Sequence, residues 1–346
     1  MHEIWKREPL RLLDELSEPE RNLLAECVYG GSRIPNIAQL NAKYGYTYSF
    51  PYYGGFRDCH FIHCFFQSDR MSERMLVDGI SGRLKELLPP PSNVDIRFES
   101  ETPRRGTWRY RTWRGDVTED VRELAVYESE SIGPREARRV LQLTAVEKIR
   151  VSDKTGLPSK AAERVIGEAL HAPDPGFCRA AIWPVLIQQC GWAKARSGKL
   201  RLTPKGKSLL DDFSFAKYAD GVNRLVGDTG FDEMWTVSVI KGQLGRQAGR
   251  FRYPPVKRRE AIVEALFDLP AGGWVELEEA YRFMRAKGTH CHVVGEGIGL
   301  YIGHAEYGHL SGSEEQIGRV YFRQFAGASL ATLGMLDLAL TDPDYI

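Results

Sequence analysis

Residues 134–207 read PREARRVLQLTAVEKIRVSDKTGLPSKAAERVIGEALHAPDPGFCRAAIWPVLIQQCGWAKARSGKLRLTPKGK. Helical spacing over 134–147 leads into the short strand-like run Lys148-Ile149-Arg150-Val151-Ser152. After a polar turn, Ser159 is placed to cap a helix reaching about residue 170. Residues 177–190 form the next helix, stopped by Gly191. Two alternating runs, 192–196 and 199–203, flank Ser197-Gly198, a dipeptide suited to a tight hairpin turn.

Helix, strand, helix, helix, hairpin is the order of a winged-helix domain. A less complete version is expected near the C-terminus, with helices over 256–269 and 278–287, a strand at 274–277, an insertion carrying a strand at 300–302, a long helix over 313–332 and a wing-like strand at 336–341. Upstream, Ser17-Glu18-Pro19-Glu20 reads as a capping box for a helix over 18–29. Further helices are predicted over 35–44 and 71–88, and a strand over 94–98. The expected fold is mainly α with short β-hairpins, an α+β chain of tandem winged-helix domains. The expected divisions are a mostly helical N-terminal domain over 1–115 (a degenerate winged helix), a winged-helix domain over 116–230, and a third over 231–346 with an insertion and an incomplete last wing.

A length of 346 residues suits two or three domains. Hydrophobic residues at 42% and charged residues at 27% exclude a wholly disordered or collagen-like chain. Lys and Arg total 47 against 46 Asp and Glu, so affinity for nucleic acid or membrane must come from local clusters. Six cysteines are too sparse for a disulfide scaffold and point to a reducing compartment. No stretch has the apolar length of a signal peptide or membrane span. The expectation is a cytoplasmic protein with no membrane partner and no cofactor.

Three stretches, VSDKTGLPSKAAERVIGEAL (151–170), WPVLIQQCGWAKARSGKLRLTPKGKSLL (183–210) and GRVYFRQFAGASLATLGMLDLALTDP (318–343), resemble a bacterial group of tandem winged-helix proteins. That group is similar to the accessory region preceding the motor of XPB-type helicases. The resemblance covers roughly residues 130–345 and is weaker over 1–100. It rests on turns, caps and wing strands, and it implies nucleic-acid-associated work. It also implies relatives that continue beyond residue 346, hence a shortened form here. No G-x-x-x-x-G-K-[ST] occurs, so no ATP hydrolysis is expected.

Three basic clusters are free of acidic residues in the sequence. The first is Arg104, Arg105, Arg109, Arg111 and Arg114, interleaved with Trp108, Tyr110 and Trp113. Guanidinium forks contact phosphates, and aromatic rings stack on unpaired bases at about 1–3 kcal/mol each. Strand alternation sets Arg109 and Arg111 on one face and Trp108 and Tyr110 on the other, which equally describes a half-buried strand with solvated arginines. The second is Lys194, Arg196, Lys199, Arg201, Lys205 and Lys207, in the expected wing and the turn after it. Lys194 and Arg196 share one parity, as do Lys199 and Arg201, so each strand presents its cations to one side. A merely soluble hairpin has the same pattern. The third, Lys241, Arg246, Arg250, Arg252, Lys257, Arg258 and Arg259, lies in a Gly- and Pro-punctuated linker that is either a mobile anion-binding loop or plain solvated chain.

The helix FCRAAIWPVLIQQC is nearly all apolar. Of its residues only Arg179, Gln188 and Gln189 could read bases, so burial is expected and sequence-specific readout is not. Cys59, His60, His63 and Cys64 form two i,i+4 pairs pointing in different directions, poorly suited to one zinc ion without a second segment. His290, His292, His304 and His309, with Glu296 and Glu306, could supply a two-histidine-plus-carboxylate site, though irregular loop histidines more commonly face solvent. Gly295-Glu296-Gly297-Ile298-Gly299 precedes a strand instead of following one, which disfavours a phosphate loop.

The expected function is non-enzymatic binding of nucleic-acid backbone, DNA first with RNA left open and with little sequence specificity, through the second cluster together with Arg104, Arg105, Trp108, Arg109 and Arg111 of the first and Arg246, Arg250, Arg252, Lys257 and Arg258 of the third. The rival is an adaptor stacked through its apolar helices as a scaffold for a separately encoded helicase or nuclease. A weaker third is a hydrolase using the histidines at 290–309.

Overall fold

Ser17 opens the first long helix. Its amide donates to the Glu20 carboxylate at 2.8 Å and its hydroxyl to the same oxygen at 2.7 Å. Helix Glu18–Gly30 then runs until Gly31 turns left-handed at φ 71°. Leu23, Leu24, Cys27 and Val28 point inward, the face that their spacing predicts. These features come from a computed structural model that describes residues 9–46, 62, 65–68, 74–111, 117–170, 178–235, 237, 240–242, 253–293, 300–304, 308–311 and 313–341. The chain is mixed α+β: helices dominate, joined by short antiparallel strand pairs. Among the described residues no helix is long and apolar enough to cross a membrane.

Contacts group the chain into two compact units, Met1–Arg97 with Glu278–Thr289, and Phe98–Leu277 with His290–Ile346. The divisions expected after residues 115 and 230 both fall within the second unit. Strand Arg105–Arg111 pairs with Val117–Glu123 across the first of them.

In the first unit, Leu12, Leu13 and Leu16 join the inward face of Glu18–Gly30 with Leu40, Phe65, Phe66, Leu76 and Leu84. The helix expected over 71–88 is two elements: a strand, Arg74–Leu76, paired with Phe66–Ser68, and a helix, Ser81–Leu87. Gly79 at φ 79° interrupts them, and the preceding Asp78 is held by Arg33 at 2.7 Å. No ladder forms over 94–98; a single bridge joins Glu99 to Trp274 in the second unit, where a strand over 274–277 was expected.

Helix Leu277–Ala286, expected to belong to a C-terminal winged helix, lies in the first unit from Glu278 onward. Glu279 secures it there. Its carboxylate accepts from the Arg97 amide at 3.0 Å and the Arg97 guanidinium at 2.9 Å, and from Arg282 Nε at 2.8 Å. Arg282 in turn donates to the carbonyls of Ala42 at 2.9 Å and Asp95 at 2.6 Å. The Arg282 guanidinium, aided by Arg97 and opposed by burial, holds the Glu279 carboxyl at about 2 against an ordinary 4.5. A depressed folded-state value stabilises fully above pH 4.5 and is lost as pH falls toward 2. Acid titration of stability by circular dichroism is therefore expected to show a limb between pH 4.5 and 2 that Glu279→Gln flattens, and an unchanged limb would refute the assignment.

The second unit contains the stretch quoted above. Helix α1 (Ser129–Ala145) begins five residues before Pro134 and buries Ala137, Val140 and Leu141. Ile149 and Val151 lie alongside the later hairpin, Ile149 accepting from Leu200 N–H at 3.0 Å and Val151 N–H donating to Gly198 at 3.1 Å. Ser159 caps helix α2 (Lys160–Gly167), accepting from Ala162 N–H at 3.2 Å. Helix α3 (Arg179–Gln189) is almost wholly buried. Strands β1 (Ala193–Arg196) and β2 (Lys199–Leu202) meet at Ser197-Gly198, with φ values of 53° and 74°. Positive φ at both central residues matches the right-handed twist of the flanking strands. Thr203 caps helix α4 (Pro204–Asp211), and helix α5 (Phe215–Val226) follows. Gly206 and Gly221 let these helices close over Trp192: a Cβ on Gly206 would stand 1.9 Å from the Trp192 carbonyl oxygen, and one on Gly221 2.3 Å from the indole nitrogen.

The repeat expected over 256–341 is dispersed. Helix Pro255–Phe267 groups with the second unit, whereas helix Leu277–Ala286 groups with the first from Glu278 onward. Strand Leu300–His304 sits between Ile240–Gly242 and Gly308–Ser311 in a three-stranded antiparallel sheet. Helix Glu314–Gln324 continues as a buried π-helix, Phe325–Ala331. The last strand, Leu338–Leu340, pairs with Ala125–Tyr127 just ahead of α1 and not with a hairpin of its own. Local alternation identifies a strand but not its partner, and here the partner lies about two hundred residues upstream.

Candidate nucleic-acid interface

The β1–β2 hairpin is two-faced because side chains alternate along a strand. Ala193 and Leu200 are buried on one side, with Ala195 and Leu202 partly so, while Lys194, Arg196, Lys199 and Arg201 occupy the other. The register sets Lys194 opposite Arg201 and Arg196 opposite Lys199. Arg150, exposed, pairs with Lys199 in an isolated antiparallel bridge and shares that face. Like charges set directly opposite destabilise a sheet by some tenths of a kcal/mol per pair. This face therefore concentrates cations against local folding preference.

One carboxylate, that of Glu147, ion-pairs with the face among the described residues. It reaches Lys199 at 3.1 Å and Arg201 at 3.3 Å, and the Lys199 hydrogen bond, followed by the two positive charges, lowers its pKa. At the hairpin tip Asp153 accepts from the Gly198 amide at 2.9 Å. Lys194, Arg196 and Lys207 are exposed and form no ion pair among the described residues. Lys205 is paired with Asp220 at 3.0 Å, so it is less available than the sequence pattern implies.

The first cluster is acid-free in sequence but not in the sheet. Pairing of Arg105–Arg111 with Val117–Glu123 sets Glu123 opposite Arg105, Glu119 opposite Arg109, Asp120 opposite Trp108 and Val117 opposite Arg111. The acid-rich segment after residue 115 is thus the partner strand of the basic one. Arg104 and Arg105 are exposed. Arg114 and Trp113 lie outside the described residues, as do the side chains of Trp108, Arg109, Tyr110 and Arg111.

Three of the seven residues of the third cluster, Arg246, Arg250 and Arg252, also lie outside the described residues. Lys241 and Lys257 are exposed. Arg258, expected to contact nucleic acid, is corrected by its burial: it pairs with Asp232 at 2.8 Å and lies over the Tyr321 ring at 4.5 Å. Arg259 is buried too, donating to Glu233 at 2.8 Å and to the carbonyls of Leu225 at 3.0 Å and Phe231 at 2.7 Å. Tyr321 donates to Glu233 at 2.8 Å, and burial, then the Glu233 charge, pushes its hydroxyl well above the ordinary range. The helical spacing Arg258, Ile262, Ala265 carried the signal, since a cation in register with a buried apolar stripe shares its side of the helix.

Helix α3 offers no base-reading face. Arg179 is buried against Glu136 of α1 and over the Tyr127 ring at 4.8 Å, while Trp183 donates to the same Glu136 at 3.0 Å. Gln189 is buried, and Gln188 donates to the Gly156 carbonyl at 2.9 Å and the Pro184 carbonyl at 2.8 Å. The near-absence of polar residues in this helix is explained by enclosure.

His290 and His292 hold their rings 5.1 Å apart, with Tyr253 5.5 Å from His292. Cys291 is buried and donates to the Gly318 carbonyl at 3.3 Å. The side chains of His304 and His309 lie outside the described residues, as do Glu296, Glu306, the Gly295–Gly299 run and the pairs at Cys59, His60, His63 and Cys64. Among the described residues no three His, Cys, Asp or Glu side chains converge to hold a metal ion.

Compared with protein-family models, with curated proteins and with solved structures, the chain matches none.

Proposed function

We propose that residues 129–211 act as a winged-helix unit whose hairpin binds nucleic-acid phosphates with little sequence preference, and that this chain performs no catalysis in doing so. The observation that carries this reading is the single hairpin face bearing Lys194, Arg196, Lys199 and Arg201, with Arg150 beside them. Lysine and arginine on adjacent strands neutralise phosphates without reading bases, and α3, which would have to enter a groove to read them, is enclosed. The scaffold alternative drew on α3 as a docking face; enclosed by its own unit, that helix no longer favours it. Only one such unit is proposed, because the C-terminal elements that suggested a second pair elsewhere.

Binding of this kind is dominated by counterion release. Fluorescence-anisotropy titration of the protein against duplex DNA, single-stranded DNA and duplex RNA of two unrelated sequences tests it. About four or five neutralised phosphates predict a log–log salt slope near −4 for a duplex, with similar affinity for both sequences. A slope near zero, or strong preference for one sequence, would count against the proposal.

A further inference from the structure

We infer that Glu147 is a built-in occupant of the phosphate site, an intramolecular carboxylate that a bound phosphate must displace and that thereby holds affinity below what the hairpin could reach. This inference rests on the phosphate-binding reading above. Helix α1 ends in a Schellman turn: Lys148 N–H donates to the Leu143 carbonyl at 3.1 Å and Glu147 N–H to the Thr144 carbonyl at 3.0 Å. The turn requires its penultimate residue to be left-handed, and Glu147 stands there at φ 54°. Glycine is the usual residue at that place because a side chain disfavours the conformation. A carboxylate is doubly unsuited to it, since the C-terminal end of a helix carries partial negative charge. Local structure therefore argues for glycine without charge, and the chain has a glutamate.

What the glutamate gains is the hairpin face. Its two oxygens divide between the cations, Oε2 on Lys199 at 3.1 Å and Oε1 on Arg201 at 3.3 Å. A phosphate diester would present two oxygens to the same pair of donors. All three side chains are more than a third exposed, at 38% for Glu147, 39% for Lys199 and 44% for Arg201, so the carboxylate can swing away without opening the core. Lys194 and Arg196 remain without an ion-pair partner among the described residues and offer a first foothold from which a strand of phosphates could reach the occupied pair.

Glu147→Gln and Glu147→Gly, titrated with a fluorescent duplex beside the wild type at two ionic strengths, test the inference. The glutamine variant keeps the side-chain volume, and the glycine variant relieves the left-handed backbone, so the two together separate charge from folding. Both are expected to bind roughly tenfold tighter at low salt and to steepen the salt slope by at most about one, because Lys199 and Arg201 then meet phosphate without first releasing one internal anion. The glycine variant is expected to melt no lower than the wild type. Wild-type binding with unchanged or weaker binding by both variants would overturn the inference and leave the phosphate-binding reading standing, with Glu147 as a clamp that steadies the hairpin. Absence of binding by the wild type and both variants would overturn the two together.

Discussion

Simultaneous replacement of Lys194, Arg196, Lys199 and Arg201 by glutamate is expected to abolish duplex binding in a low-salt gel shift, a loss of at least about a hundredfold to a thousandfold. The four residues share one face of the β1–β2 hairpin, so reversal converts the whole surface from attractive to repulsive. It also leaves Glu147 beside new carboxylates in place of Lys199 and Arg201, with which it now pairs. Folding must be separated from binding. A quadruple glutamine variant removes the cross-strand repulsion between Lys194 and Arg201 and between Arg196 and Lys199, so it is expected to fold at least as well as wild type while losing most of the affinity. Reversal of Arg104 and Arg105 serves as the comparison: the register sets Glu123 opposite Arg105, and a much smaller effect is expected there. Retained binding by the hairpin variants, with loss on reversing Arg104 and Arg105, would move the contact to the other ribbon.

The largest stability effect is expected at Glu233. Its carboxylate accepts from Arg259 Nε at 2.8 Å and from the Tyr321 hydroxyl at 2.8 Å, and both donors are fully buried. Glu233→Ala removes the counter-charge and leaves a guanidinium in an apolar setting with backbone carbonyls as its remaining partners. Breaking a buried pair from one side costs about 3–5 kcal/mol, far more than the few tenths expected for the exposed Lys160–Glu163 pair. The neighbouring Arg258–Asp232 pair shares Tyr321 and is buried alongside it, so loosening one pair disturbs the other. Chemical denaturation of the full chain measures the difference. A loss below about 1 kcal/mol would show that water solvates Arg259 once the carboxylate is gone.

Much of the local architecture is legible from residue order. Ser17 and Glu20 mark a helix start, Ser159 caps a second helix, and Ser197-Gly198 marks the hairpin, each through a hydrogen bond or dihedral requirement that acts within a few residues. The parity of Lys194, Arg196, Lys199 and Arg201 likewise predicts the cationic face, because alternation is a property of any strand. The helix misplaced over 71–88 shows where this stops: Arg74–Leu76 takes strand geometry from pairing with Phe66–Ser68, and the apolar spacing that suggested a helix has no means of showing that partner. Glu147 is invisible for a related reason, since nothing near it in sequence announces Lys199 and Arg201, some fifty residues downstream.

Caps, turns and face alternation were thus determined by the sequence itself, because each is decided by groups separated by a few covalent bonds. Which charges stay in solvent was decided by tertiary structure alone. A guanidinium carries the same formal charge at residue 196 and at residue 259, but one stands on an exposed strand face and the other is enclosed by Glu233 and backbone carbonyls. Electrostatic free energy depends on distance and solvent access, and both are properties of the folded chain.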